Sequence, residues 1–196
     1  MKKIIVKTSL ITFLALIVLT LIAYFVVGGV KPKILADFYY QVGYYQTAEK
    51  YYERQYDKTG DVQDLYNIVV ALDQEYQGQK TYNYAVELLN HQDFESFCQS
   101  IKVQYTKLST EQYVINKGAV GLSNVDFNGA MDFCFEKTKV LGYTEFNAYR
   151  AVIASKTELT VEQKSAVKDS LNSLAQHIDN AEQLNNLNQD LELIND

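Results

Sequence analysis

The stretch that decides the fold is GYYQTAEKYYERQYDKTG, residues 43–60. Small or aromatic residues recur in it at the spacing of one face of an α-helix, and these are Tyr45, Ala48, Tyr52 and Tyr56. The charged residues lie largely off that face. Glycine readily adopts the left-handed conformation that ends a helix, so Gly60 predicts the end of this one. Asp61 then predicts the N-cap of the next helix.

The same spacing predicts helices along the rest of the chain. They are expected near residues 62–76, 80–90, 93–107, 126–140 and 144–155. STEQ (109–112) and TVEQ (160–163) match the capping-box pattern, and each predicts the start of a further helix. One proline in 196 residues argues against a β-sandwich or barrel, which needs frequent turn residues. The sequence therefore predicts an all-α fold with short connections and antiparallel neighbours.

Residues 8–30, TSLITFLALIVLTLIAYFVVGGV, form an uncharged run of 23 residues. As a helix this run would be about 35 Å long, which is enough to cross a hydrocarbon core of about 30 Å. It predicts an uncleaved signal-anchor that spans a membrane and follows a short tail at residues 1–7. The alternative is a cleaved signal peptide and a secreted protein. The apolar part of such a peptide is usually about 7–15 residues long, and Val27-Gly28-Gly29 is a weak cleavage site.

The charge is distributed unevenly about this run. Residues 1–33 contain five lysines and no acidic residue, whereas the rest of the chain contains 13 basic and 24 acidic residues. Because positive residues favour the cytoplasmic side, we expect a cytoplasmic N-terminus and an extracytoplasmic C-terminal body. An acidic body also argues against a nucleic-acid partner, since phosphate binding needs a basic patch.

An aromatic-x-x-Ala spacing occurs three times in the body. It is formed by Tyr45 with Ala48, Tyr82 with Ala85, and Phe127 with Ala130. With Gly43 and Tyr52, the first occurrence resembles the second helix of a tetratricopeptide repeat, and LYNIVVAL (65–72) looks like the first helix of the next. The resemblance implies a tetratricopeptide-like α-solenoid over residues 33–155. Phe97 stands where the family pattern has alanine, and a non-repetitive helical bundle is the alternative.

The resemblance also implies a function, which is protein–protein interaction by a membrane-anchored scaffold or adaptor. Such solenoids bind a peptide or partner protein along a concave surface lined by the first helix of each pair. The matching positions here are Tyr40, Gln41, Tyr66, Asn67, Val70, Gln74 and Asn147. The alternative is a structural subunit of a larger membrane or envelope complex, as in secretion or assembly machinery.

Several tyrosines lie off the helical face that contains Ala48. These are Tyr39, Tyr40, Tyr44 and Tyr51, which must face solvent, a membrane interface or a ligand. Tyrosine favours membrane interfaces because one end of its side chain is apolar and the other polar. Interfacial anchoring or packing is therefore the alternative to a binding role.

The C-terminal segment, residues 156–196, predicts helices that cap the end of the solenoid. Apolar residues recur at a 4-3-4-3 spacing from Val167 to Ala181, and the spacing resumes at Leu184 after a three-residue skip. Such a skip overwinds one helix or marks a break between two. A short coiled coil for self-association is the alternative.

No catalytic, cofactor-binding or metal-binding motif is present in the sequence, and we expect a protein that is not an enzyme. The two histidines, His91 and His177, are far apart in sequence and lie among polar residues. Cys98 and Cys134 follow phenylalanines on the apolar sides of predicted helices. We expect two buried free thiols there rather than a disulfide.

Overall fold

The computed structural model describes residues 2–75, 78–100, 107–141 and 146–195. Over these residues it has eleven α-helices and no strand, which confirms the predicted all-α class. The helices are α1 (Lys2–Val30), α2 (Pro32–Gln41), α3 (Tyr45–Thr59), α4 (Val62–Gln74), α5 (Gly78–Leu89), α6 (Phe94–Ser100), α7 (Lys107–Ser123), α8 (Phe127–Leu141), α9 (Asn147–Ala154), α10 (Val161–Ala175) and α11 (Ala181–Asn195).

The chain forms two compact units, Met1–Asn67 and Ile68–Asp196, and the boundary between them falls within α4. The domain ranges that the sequence predicts, 1–7, 8–30, 33–155 and 156–196, stay predictions. The predicted helix near 62–76 extends to residue 76, and that near 93–107 includes 101–106. Both of these parts lie outside the described residues.

In the first unit, α2 and α3 pack together as a helical hairpin, and α1 packs against α2. The turn of the hairpin contains Gly43, whose φ of 81° is a conformation that glycine adopts without steric cost. Gly60 ends α3 in the left-handed conformation, as predicted. The carboxylate of Asp61 accepts a hydrogen bond from the N–H of Gln63 at 2.8 Å, which is the N-cap bond expected at the start of α4.

A partly buried hydrogen bond joins the two helices of the hairpin. Ala48 and Tyr52 are buried, and the Tyr52 hydroxyl donates to Asp37 Oδ1 at 2.8 Å. Burial first, and then this hydrogen bond, raise the pKa of Tyr52 above its ordinary value. Lys33 pairs with the same Asp37 oxygen at 3.1 Å. The hairpin is thus held by an apolar face and by one polar network that involves both helices.

In the second unit, α7 is the central helix. It packs against α5, α6, α8 and α9, while α8 also packs against α10, and α10 against α11. Side chains from α7 to α11 form one hydrophobic cluster, whose buried members include Ile115, Met131, Tyr149, Leu171 and Leu187. The C-terminal helices therefore belong to the core of this unit.

Small residues let α5 and α7 approach closely. A Cβ added to Gly118 would lie 3.2 Å from the Cβ of Ala85, and one added to Gly121 would lie 2.6 Å from the carbonyl oxygen of Gly78. Neither position leaves room for a side chain without a shift of the neighbouring helix. Ala48, Ala85 and Ala130 are all fully buried.

The C-terminal segment forms two helices. Thr160 opens α10 with both hydrogen bonds of a capping box, as predicted. The break between α10 and α11 is at residues 176–180, and the three-residue skip from Ala181 to Leu184 falls in the first turn of α11. The Asn180 side chain accepts from the N–H groups of Glu182 and Gln183. Arg150 of α9 forms a two-oxygen ion pair with the buried Asp190 of α11, with Nε–O distances of 2.9 and 3.2 Å.

The predicted capping box at 109–112 is wrong. Helix α7 begins at Lys107, so these four residues lie within the helix rather than at its start. Thr110 is buried, and its side chain is packed inside the protein instead of closing a helix end. The pattern of residue types is the same as at 160–163, but the helix here already includes two residues before it.

Candidate functional site

The residues predicted to line a binding surface are distributed over both units. In the first unit, Tyr40 packs edge-to-face against Tyr45 at a centroid distance of 5.3 Å, and Gln41 is exposed at the end of α2. Tyr66 and Asn67 are half-buried on α4, and the Asn67 side chain accepts from Gln63 at 3.1 Å. This half of the predicted set therefore lies on two helices, α2 and α4.

The remaining predicted residues lie in the second unit. Val70 is half-buried, Gln74 is exposed at the end of α4, and Asn147 is the first residue of α9. A common surface for all seven residues stays a prediction.

The second unit has a groove of about 420 Å³ that the sequence analysis did not identify. Most of its walls come from α7 and α9, and α5 contributes Thr81. Its lining residues are Asp73, Thr81, Tyr113, Asn116, Lys117, Val120, Gly121, Asn124, Ala151, Ala154 and Ser155. Only Asp73 comes from α4. The groove exists because the facing side chains are small, and Thr81, Gly121 and Ala151 leave the space open.

Charged side chains line this groove at one place, and a further lysine lies beside it, bonded to the lining residue Asn124. Lys117 pairs with Asp73 at 2.9 Å and lies over the Tyr113 ring, 5.3 Å from its centroid. Lys156 donates to the Asn124 side chain at 2.6 Å and to the Ser123 carbonyl oxygen at 3.2 Å. Partial burial lowers the pKa of Lys156 from its ordinary value. The groove therefore has a fixed ammonium group near each of two asparagines.

Asn116 is the unusual residue of the groove. Among the residues that the structure describes, its buried Oδ1 atom has no hydrogen-bond partner. A buried acceptor without a partner costs free energy, typically about 1–3 kcal/mol. Because this atom is covered, a bound molecule with an N–H group could supply the missing donor only if the side chains around Asn116 moved aside. No sequence motif predicts this atom, because its isolation depends on how α5, α7 and α9 pack together.

A second and larger groove, of about 720 Å³, lies between α8 and α10. Its polar lining consists mainly of carboxylates and hydroxyls, including Asp132, Glu162, Asp169 and Ser170. The hydrogen bond from its own backbone N–H at the start of α10 lowers the pKa of Glu162. In the described part of the chain, no three His, Cys, Asp or Glu side chains are placed to hold a metal ion. Among its described lining residues, this groove therefore offers carboxylates and hydroxyls but no unpaired buried acceptor like that of Asn116.

The first unit contains a cluster of tyrosines that the sequence only partly predicts. The Tyr24 hydroxyl, on α1, lies 3.0 Å from that of Tyr39 and 2.8 Å from that of Tyr51. The Tyr39 and Tyr51 rings are stacked, with centroids 5.8 Å apart, and Arg54 lies over the Tyr51 ring. We call Tyr24, Tyr39 and Tyr51 the phenol cluster. The sequence indicated that Tyr39 and Tyr51 lie off the buried face, but not that both bond to Tyr24.

The histidines and cysteines do not form a site with each other. His91 lies 3.9 Å from Asp93, and His177 contacts the Ser173 carbonyl oxygen and the edge of Phe135. Cys98 and Cys134 are buried thiols and are not joined in a disulfide, as predicted. Burial raises the pKa of the Cys134 thiol to about 12.

Within the residues it describes, the structure has one helix long and apolar enough to cross a membrane, over Thr12–Val30. A core helix or a signal sequence can have the same length and composition. Comparison of the chain with protein-family models, with curated proteins and with solved structures finds no match.

Proposed function

We propose that this chain is a membrane-anchored interaction protein whose helical body binds a peptide or a partner protein. The observation that carries the proposal is the groove between α5, α7 and α9 with the unpaired Asn116 oxygen in it. The anchor, the solenoid architecture and the bound peptide are separate parts of the proposal. Each part is supported by a separate observation.

The anchor is supported by the exposure of α1. Large apolar side chains such as Phe13, Leu16 and Leu19 are more than half exposed along it. Each such side chain would gain roughly 1.5–3 kcal/mol by leaving water for an apolar environment. A hydrocarbon core supplies that environment along the whole helix, and we place the body on the extracytoplasmic side because of the lysine bias.

The solenoid is supported by the order of packing in the second unit. Helix α7 contacts both its neighbour α8 and the next helix α9, and α8 likewise contacts α10. Contacts with the next helix and with the one after it are typical of stacked helical hairpins, including tetratricopeptide-like ones. The close approach of Ala85 to Gly118 fits the same interpretation, because small residues are what such packing needs.

Peptide binding is supported by the chemistry of the groove. A peptide backbone offers an N–H donor and a carbonyl acceptor at each residue. Asn116 offers a buried acceptor, while Lys117 and Lys156 offer donors at the margins. Small side chains on the groove floor leave room for a backbone to approach. A peptide with an acidic side chain would also find two ammonium groups within reach.

Site-directed photo-crosslinking in native membranes tests this proposal. A photoreactive residue at the exposed groove position Ala154 should form an adduct with the partner, whereas one at the exposed Val140 of α8 should not. Asn116→Ala should keep the fold and reduce the adduct from position 154, since it removes the side-chain amide that contains the unpaired acceptor. Equal adducts from both positions, or full yield with Asn116→Ala, would contradict the groove assignment.

The same assay tests the surface that the family resemblance implies. Tyr40→Ala and Asn67→Ala, made singly, should each weaken binding of the captured partner by roughly 1–2 kcal/mol if these residues are anchors. Parent-like binding by both variants would restrict the site to the second unit.

A further inference from the structure

The hairpin α2–α3 lies beside the last two turns of α1, not beyond its end. Tyr39 and Tyr51 bond to Tyr24, which precedes Val30 by six residues and about 9 Å of helix. A Cβ added to Gly28 would lie 3.0 Å from Leu35 and 3.3 Å from Tyr51. Lys58, near the end of α3, donates to the Gly29 carbonyl oxygen. Contacts thus follow α1 from residue 24 to residue 29.

This placement limits how far the hydrocarbon core can extend along α1. Lys50 is exposed and adjoins Tyr51, so it lies near the level of Tyr24. A charged side chain in the centre of a bilayer costs at least about 2.5–3.5 kcal/mol. If the hydrocarbon reached Val30, Lys50 and the partly exposed Asp37 would be inside it. The hydrocarbon must therefore end near Tyr24.

The length of α1 agrees with that boundary. Residues 4–23 are twenty residues of helix, which is about 30 Å and matches the usual thickness of the hydrocarbon core. Residues 24–30 then lie in the headgroup layer. The phenol cluster is placed at the boundary itself, where tyrosine is favoured because it is apolar at one end and polar at the other.

The hairpin has an exposed apolar stripe that suits the same boundary. Ile34 and Phe38 of α2 and Val42, just after its end, recur every four residues, and they are 54%, 55% and 48% exposed. Tyr44, beside the turn, is 65% exposed. Because Leu35 contacts Gly28 and Tyr39 contacts Tyr24, α2 runs back towards the membrane along α1. The turn at residues 42–44 is therefore the deepest part of the hairpin.

We propose that the hairpin is seated at the boundary between the headgroup layer and the hydrocarbon, which lies at Tyr24, with Phe38 at that boundary and Val42 and Tyr44 just below it, against the outer part of the acyl chains. The partner of this surface is the lipid itself. The continuity of the stripe with α1 argues for lipid, since only one residue separates the two helices. This inference rests on the proposed membrane anchor and adds the depth and the orientation of the first unit.

Tryptophan depth measurements test the inference, because the chain contains no tryptophan of its own. The full chain is reconstituted into phosphatidylcholine vesicles with bromine atoms at a shallow or a deep position of the acyl chains. Each variant carries one tryptophan, at Phe13, Phe38, Tyr44 or Asp57. The first three sites are exposed side chains of the span and the stripe, and Asp57 is an exposed control near the far end of α3.

The expected result is an ordered loss of fluorescence. Phe13→Trp should lose most emission with deep bromines, while Phe38→Trp and Tyr44→Trp should lose most with shallow ones. Asp57→Trp should lose least, and its emission should lie at the longest wavelength. Phe38 and Tyr44 are both exposed, so neither substitution should disturb the fold.

Two other results separate failure of the inference from failure of the anchor. If Phe13→Trp is quenched while Phe38→Trp and Tyr44→Trp behave like Asp57→Trp, the hairpin is outside the membrane and the inference is wrong. Quenching of both stripe positions mainly by deep bromines would overturn the boundary at Tyr24. Without quenching of Phe13→Trp, the proposed anchor itself fails.

Discussion

Asp64 is a buried carboxylate in the first turn of α4. It is 3% exposed and accepts a hydrogen bond from the Thr59 hydroxyl at 3.1 Å. Burial raises its pKa, and the nearby negative charges of Asp61 and Asp37 act in the same direction, while the Thr59 bond and Lys33 oppose them. No local pattern predicts this burial, because Asp64 precedes an apolar residue, Leu65, just as the exposed Asp61 precedes Val62.

Replacement of Asp64 by asparagine should stabilise the protein at neutral pH. Since the folded-state pKa is raised above the unfolded value of about 3.9, the protonated carboxyl favours the folded state. That contribution is complete below the unfolded pKa and is lost as the pH rises through the folded pKa. The asparagine side chain would keep an acceptor for Thr59 without a charge, so the advantage of Asp64→Asn should be present at pH 7 and disappear at acidic pH.

Chemical denaturation of the full chain in detergent, at pH 7 and at pH 4, measures this difference. Asp57→Asn is the matched control, because Asp57 is exposed and should show little change between the two pH values. If Asp64→Asn lowers the stability at pH 7, the attraction between the carboxylate and the N-terminus of α4 outweighs the cost of its burial.

Among the described glycines of the second unit, those of α7 that face α5 are in the tightest contact between two helices. Gly121→Ala would place a methyl group 2.6 Å from the Gly78 carbonyl oxygen and 3.1 Å from Thr81. Overpacking of this kind costs roughly 1–3 kcal/mol, and the better helix propensity of alanine offsets about 1 kcal/mol of it. We therefore expect a net loss of stability and a wider groove.

Thermal unfolding of the full chain in detergent measures that loss. Gly29→Ala is the control, since nothing lies within 4 Å of a Cβ added there, and it should be neutral or slightly stabilising. A melting temperature for Gly121→Ala equal to that of the control would show that α5 and α7 can separate at no cost.

The alanines and glycines of these helices show what a sequence can and cannot predict about packing. The aromatic-x-x-Ala spacing identified Ala48, Ala85 and Ala130 as buried contact positions, and all three are fully buried. It did not identify Gly118 or Gly121, because glycine within a helical pattern is usually interpreted as a weak point. Their role depends on the side chain that faces them, which local periodicity does not contain. The groove and the unpaired Asn116 oxygen could not be predicted from the sequence for the same reason.

The proposed membrane anchor implies an orientation of the whole chain across the bilayer, and this orientation can be measured. The native thiols will not interfere, since Cys98 and Cys134 are both buried and the pKa of Cys134 is raised to about 12. A cysteine added after Asp196 should therefore be the only thiol of this chain that reacts with an impermeant reagent in intact cells.

The control for this experiment is a cysteine at Lys2, which should react only after lysis. The reverse pattern would show that the body is cytoplasmic. A mature chain that begins near Val30 would instead show that the apolar segment is cleaved.

The class of the fold was predictable because each helix leaves its own local pattern in the sequence. The division into two units at Asn67 was not, since the apolar period of α4 continues through it from Leu65 to Leu72. Likewise the break at residues 176–180 could not be located from the skip in the apolar spacing, which has the same form in an overwound helix and between two helices. The identity of the partner depends on another molecule and is not contained in either pattern.

The phenol cluster has a mechanical consequence. Tyr24, Gly28 and Gly29 all contact the hairpin. We therefore expect α1 and the hairpin to move together as one rigid body. If α1 spans a bilayer as proposed, it will tilt where the bilayer is thinner than its apolar length. The hairpin would then swing by the same angle, and the direction in which α3 points from the membrane would change with bilayer thickness. Because lipid composition sets the thickness of the bilayer, it would change the orientation of the first unit relative to the membrane.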